Sequence, residues 1–177
     1  MPPNNAINTD SDDRYHLALG RFIDAFATAE HNLKFALGSV ANVPRDTAQA
    51  IFSGVRVKQA IDFINRIFES RKTPIPLDLR NALGHMSAIL SARDDIVHYG
   101  ASVDGNEFIT TNSPHTIPRQ ARTKRRDIED LDAMTEDLLT IGHLLIWMMA
   151  KDNPNAFPEA LELLDNAAHA PLRYRPQ

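Results

Sequence analysis

From Leu131 through Met134, Leu138, Ile141 and Leu145 to Met148, an apolar residue returns every three or four positions without a break. At 3.6 residues per turn these side chains form one stripe, which is stable only against other apolar surface. The spacing therefore predicts a core helix over about residues 127–151. Leu19, Phe22, Phe26, Ala29, Leu33, Ala36 and Val40 repeat the pattern, with Thr9, Asp10 and Ser11 as N-caps of a first helix. Ile51, Val55, Ile61, Ile64 and Phe68 predict a second, from Pro44 to about Arg71, in which Gly54 kinks the helix or admits a close neighbour. Thr73-Pro74-Ile75-Pro76 breaks the chain. A third helix then carries Leu79, Leu83, Met86, Leu90 and Val97 and stops at Tyr99-Gly100, where glycine suits a C-terminal cap.

Four long amphipathic helices with mostly short connections imply an all-α fold, an up-and-down bundle. A short helix near Pro158 to Ala168 completes it. Asp104-Gly105, inside Ala101 to Ile109, signals a small β-hairpin insertion, and residues 110–124 read as a loop. Residues 1–10 are expected as a disordered tail, 11–170 as a single domain and 171–177 as a polar tail.

Composition narrows the function. The 177 residues suffice for a buried core, and without cysteine there is no thiolate zinc site and no cysteine nucleophile. No apolar stretch reaches membrane-spanning length, and Met1 to Asp13 lacks the apolar core of a signal peptide, so a cytoplasmic protein without membrane contact is expected. The net charge of −4 argues against a DNA-binding domain. Against that background Arg119, Arg122, Lys124, Arg125 and Arg126 crowd into eight residues. They read either as a solvated basic loop or as an RNA phosphate contact.

Arg93 breaks the stripe of the third helix, where its neighbours are apolar. A guanidinium keeps its proton, and buried unpaired it costs several kcal/mol. It needs a carboxylate, a wet cleft or an anionic ligand. Glu30, in the stripe Ile23, Phe26, Leu33 and Leu37 of the first helix, is a candidate partner. His98 lies four residues beyond Asp94, on the same face, so that carboxylate can orient the imidazole for acid–base work. Arg93 and His98 stand about 140° apart on an ideal helix, but they converge where the helix ends. A second segment, Arg80-Asn81-Ala82-Leu83-Gly84-His85, has the same spacing. It lies off the apolar stripe and reads as surface.

The run Arg93-Asp94-Asp95-Ile96-Val97-His98-Tyr99 resembles the Arg-polar-x-x-x-His signature of HEPN domains. Those domains are bundles of four or five helices with the signature near the end of a long helix. The resemblance implies a metal-independent RNA endonuclease of toxin or antiphage type, without cofactor, working as a homodimer with the site at the interface. Arg93, Asp94 and His98 would be catalytic, with Glu30, Asp95 and Tyr99 in support. It also implies a partner antitoxin or other regulator. Related toxins carry a modified tyrosine two places after the histidine, where this chain has Gly100, with Tyr99 one residue earlier.

Two other readings compete. In one, the chain is a non-catalytic helical dimerisation or interaction domain with Arg93 paired to Glu30. In the other, Asp13/His16 and Asp95/His98, at i, i+3, with His31 beside Glu30, are ligands of a metal site, although the chain has no Glu-x-x-His. His143 and Trp147, at i+4, read as a packed pair, and His16, His115 and His169 lack supporting neighbours. Neither a nucleophile-elbow Gly-x-Ser-x-Gly nor a phosphate-binding glycine loop occurs.

Overall fold

The computed structural model describes residues 9–111, 122–152, 164–165 and 167–176. Its elements are α1 (Thr9–Ala41), α2 (Arg45–Phe52), α3 (Val57–Ser70), α4 (Leu77–Tyr99), β1 (Ser102–Asp104), β2 (Glu107–Thr111), β3 (Thr123–Asp127) and α5 (Ile128–Asp152). The protein is mostly helical, with one small antiparallel sheet. Of the expected tail at 1–10, residues 1–8 lie outside the described residues, while Thr9 and Asp10 already belong to α1; most of the short helix from Pro158 also lies outside, and of it 164–165 and 167–168 are helical.

Helices α1 and α5 are central. Phe22, Leu33 and Leu37 of α1 meet Leu131, Met134, Leu138 and Leu145 of α5, all at 0% exposure, so the periodic stripes do form the core. Gly38 marks a close approach: a Cβ there would stand 2.7 Å from the Cβ of Ala48 on α2. No helix among the described residues is long and apolar enough to cross a membrane.

The expected single helix from Pro44 to Arg71 is two helices. Val55 N–H bonds the Phe52 carbonyl in a turn at Ser53-Gly54, and α3 restarts with the Gln59 side chain accepting from Arg56 N–H. The break turns Ile51 outward, to 58% exposure, although its spacing placed it inside. Gly54 admits no neighbour, since a Cβ there would meet nothing within 4 Å.

In α4 the buried line is Leu79, Ala82, Leu83, Met86, Ile89, Ala92 and Ile96, and Val97 is exposed. Reading 93 and 97 as inner positions was therefore a misplacement. Ala92 has a small side chain that the apolar count overlooked, and it occupies the inner position beside Arg93. Gly100 closes the helix at φ 68°, its N–H bonded to the Ile96 carbonyl.

The expected hairpin exists but is part of a three-stranded sheet in the order β1-β2-β3. Asp104 pairs with Glu107 around Gly105-Asn106, with Gly105 at φ 63°, the glycine position of a type II′ turn. Strand β3 occupies the end of the expected loop. Its register pairs Arg126 with Phe108 and Lys124 with Thr110, so these four side chains share the face turned toward the helices. Arg125 projects from the opposite face.

Residues 171–176, expected as a polar tail, lie against the helices. Tyr174 is buried, Leu172 half-buried, and the backbone N–H groups of Arg173 and Tyr174 bond Asp137 of α5, both at 2.7 Å.

Candidate nucleic-acid cleavage site at the end of helix 4

The last two turns of α4 carry Arg93, Asp94, Asp95, His98 and Tyr99 onto a surface beside the sheet. Arg93 sits at the rim of the core, its side chain one-third exposed. Its Nη1 donates to Asp94 Oδ1 at 2.9 Å, and its guanidinium carbon lies 5.5 Å from the Phe26 ring centroid. The ring stabilises the cation through its quadrupole, and Asp94 takes Nη1, which leaves the edge formed by Nε and Nη2 for an anion. Glu30 is not its partner. That carboxylate bonds Lys34 at 3.0 Å on its own helix, one turn on, so the expected Arg93–Glu30 pair between helices does not form.

Asp95 points the other way, to the sheet. Its Oδ2 accepts from Lys124 Nζ at 2.7 Å and from Arg126 Nη2 at 3.1 Å. Arg126 is 8% exposed, and its Nη1 has no hydrogen-bond partner among the described residues. This contact ties the last turns of α4 to β3. It also explains why β3 has charged residues on its inner face, since the helix opposite supplies a carboxylate. Arg125, on the outer face, bonds Glu107 at 3.0 Å and lies 3.7 Å from Asp104. Arg122 is exposed just before β3, and Arg119 lies outside the described residues.

His98 is exposed, with the Tyr99 ring edge-on at 6.5 Å. Among the described residues nothing hydrogen-bonds its imidazole, and Asp94, one turn earlier, bonds Arg93 instead. His98 and Asp94 nevertheless line the same open cleft of about 440 Å³, together with Lys58, Ser87, Asp95 and Tyr99. The hydroxyls of Ser87, Ser91 and Tyr99, the carboxylates of Asp94 and Asp95, a lysine and an imidazole thus surround one open space. Such a set can accept a phosphodiester and move protons at it.

The other Arg-Asn match resolves differently. Arg80 is exposed as expected, but His85 is not a surface residue. Its Nε2 lies 2.7 Å from Oδ2 of Asp137, whose side chain is 1% exposed, and the Tyr174 ring stands edge-on at 6.2 Å. This histidine holds the C-terminal segment. Asp137 itself was missed by sequence reasoning; the available signal was a carboxylate one residue before Leu138, at the edge of the buried stripe of α5.

The remaining histidines offer no rival centre. Trp147 packs its ring against His169 at 4.9 Å rather than against His143, and His31 packs against Phe35 at 4.6 Å. His115 lies outside the described residues. Asp13/His16 and Asp95/His98 are not joined by further ligands, because among the described residues no three His, Cys, Asp or Glu side chains gather as a metal site.

Compared with protein-family models, with curated proteins and with solved structures, the chain matches none.

Proposed function

We propose that the chain is a metal-independent RNA endonuclease of HEPN type, acting as a toxin or antiphage effector would. The reading rests on His98, an exposed imidazole with no hydrogen-bond partner among the described residues, in an open cleft one turn beyond the Arg93–Asp94 pair. The His85 and His169 rings are held by Asp137 and by the Asp165 carbonyl.

Cleavage begins when a base takes the ribose 2′-proton and O2′ attacks the adjacent phosphorus. The bond from phosphorus to O5′ breaks as an acid protonates O5′. The products are a 2′,3′-cyclic phosphate and a 5′-hydroxyl. His98 serves as one proton-transfer group, and Arg93 holds the non-bridging oxygens with two parallel N–H bonds. Among the described residues, one chain puts a single histidine in this cleft. A homodimer of up-and-down bundles paired about a two-fold axis supplies the second, and exposed Val97 and Tyr99 flank His98 with apolar surface for that pairing. A regulator acting at this surface, such as an antitoxin, would control access to both sites.

The test is cleavage of an end-labelled single-stranded RNA in EDTA, in the cytoplasmic pH range. Wild type cuts and leaves cyclic phosphate ends. His98→Ala lowers the rate by about 10²–10⁴-fold, the range for losing a proton-transfer group. Arg93→Lys also loses most activity, since a point charge cannot replace the fork. Full activity in either folded variant defeats the mechanism. No cutting by folded wild type leaves a helical interaction domain.

A further inference from the structure

The cleft that holds His98 does not end at Tyr99. Asp95 and Tyr99 are also walls of a second, smaller cleft of about 110 Å³, closed on the sheet side by Thr110, Arg122 and Lys124. The two spaces meet at one partition. That volume has room for about four waters, enough for a phosphate group.

Charge distinguishes this partition from the rest of the surface. Lys58, Arg93, Arg122, Lys124 and Arg126 line the two clefts or bond their walls, against Asp94 and Asp95. That is a local excess of three positive charges in a chain whose net charge is −4. Two of these cations share a single oxygen of Asp95, so one carboxylate faces two positive groups. Buried Arg126, with Nη1 lacking a partner among the described residues, holds Asp95 from behind. Lys124 is 44% exposed and binds Asp95 with one of its three protons, so it keeps donors for a ligand in the small cleft.

We propose that the small cleft is a second phosphate subsite, which takes the phosphodiester next to the one at His98 on a single RNA strand. Lys124 contacts that phosphate. Tyr99, 41% exposed on the partition, is the surface on which the intervening base stacks. The assignment rests on the endonuclease reading for the direction of the strand, but its contact with RNA is measurable without cutting.

The experiment measures binding of a fluorescein-labelled single-stranded RNA of about twelve nucleotides to the full chain by anisotropy across a salt series. All proteins carry His98→Ala to prevent cleavage. Lys124→Gln weakens binding about fivefold at about 0.1 M salt and makes the log–log salt slope shallower by about 0.7, the share of one phosphate on a single strand. Lys124→Arg restores both. Arg125→Gln, on the opposite face of β3, changes neither. Tyr99→Leu weakens binding without altering the slope. Arg126 stays on Asp95 in the Lys124 variants, and circular dichroism verifies their fold.

Equal affinity and slope for Lys124→Gln and its parent overturn the subsite, as does an equal effect from Arg125→Gln, which would make the surface a diffuse basic patch. Absence of RNA binding by the parent also overturns it. The endonuclease reading fails separately: RNA bound through Lys124 yet never cut by the chain with His98 intact keeps the subsite and removes the nuclease.

Discussion

Replacing Asp137 with asparagine exposes how the C-terminal segment is held. One oxygen of Asp137 accepts the Arg173 N–H, and the other accepts both the Tyr174 N–H and His85 Nε2, each at 2.7 Å. An asparagine keeps one acceptor oxygen and turns an NH₂ group toward the remaining donors. With its oxygen toward Arg173, the amide faces the Tyr174 N–H. Turned the other way, it faces the Arg173 N–H. His85 can answer by moving its proton to Nδ1, but a peptide N–H cannot, so one backbone donor loses its acceptor in either orientation. A lost bond to a charged group is worth about 1.5–3 kcal/mol, and an unsatisfied buried donor costs about 1–3 kcal/mol.

These two contributions do not simply add, because the segment can peel away and let water satisfy its donors. The loss is then capped by the docking free energy of residues 171–176. Burial of Tyr174 and partial burial of Leu172 supply most of that, about 2–4 kcal/mol. Asp137→Asn should therefore destabilise the protein by about 2–4 kcal/mol, a fall in Tm of about 4–16 °C at about 2–4 °C per kcal/mol for this size. Urea unfolding of wild type, Asp137→Asn, a chain ending at residue 170 and the combination measures it. In the truncated chain Asp137 has no backbone donors to hold, so the substitution there costs much less than in the full chain. Equal costs in both backgrounds, or no cost in the full chain, refute the reasoning.

Three further outcomes follow from named contacts. Gly38→Ala forces α2 away from α1, because the added Cβ meets the Ala48 Cβ at 2.7 Å rather than the end of a flexible side chain. The overpacking, less glycine's own helix penalty, leaves a net loss of about 1–2 kcal/mol. Ala48→Gly added to it recovers part of the loss in thermal unfolding, and strict additivity of the two counts against the contact. Burial raises the Tyr15 phenol above its ordinary value of 10.0. With the folded value raised, its stabilising share is whole below pH 10 and is lost as pH rises through the folded value. Tyr15→Phe therefore flattens the alkaline fall in stability above about pH 10, and an unchanged alkaline slope refutes this. Glu129 is held below its ordinary value by a hydrogen bond to its own backbone, then by Arg14 and Asn106. Its share is present above about pH 4.5 and lost on acidification, so Glu129→Gln reduces the sensitivity of Tm to acid below that point.

Much of the fold was legible because its strongest signal is periodic. The stripes of α1 and α5 and the stop at Gly100 lie where apolar spacing and capping chemistry put them. What spacing could not resolve was polarity created by tertiary partners. Thr123 to Asp127 lacks the apolar alternation of a strand, yet it pairs with β2 because Arg126 and Lys124 find Asp95 across the interface. Local sequence identified the charges but not the carboxylate on another element that makes them tolerable. The tail was missed for the same reason, since its anchors Asp137 and His85 are distant in sequence. The break at Ser53-Gly54 is a subtler miss: an apolar run continued through it, and Ile51 was assigned to the core although the turn sends it outward.

The same limit governs the candidate site. Arg80-to-His85 and Arg93-to-His98 share spacing and one helix, and the apolar stripe that separates them in sequence misplaces both, putting His85 at the surface and Arg93 at an inner position. Position relative to Asp137 separates them. His85 faces α5, where a buried carboxylate takes its imidazole and makes it part of the packing. His98 lies 13 residues further along, beyond the reach of that carboxylate, where α4 ends beside the sheet. There the nearby carboxylates already have partners, Asp94 with Arg93 and Asp95 with β3. The exposed His98 imidazole is open to a ligand, whereas the His85 ring is 12% exposed and its Nε2 is already occupied by Asp137. The cations that occupy Asp95 thus do two things at once: they fix the last turn of α4 and they leave His98 without a competing partner. Under the proposed endonuclease function, Arg126→Gln, which loosens Asp95 from β3, impairs cleavage of end-labelled RNA even where the RNA still binds, and an unchanged rate in the folded variant counts against this role of Asp95.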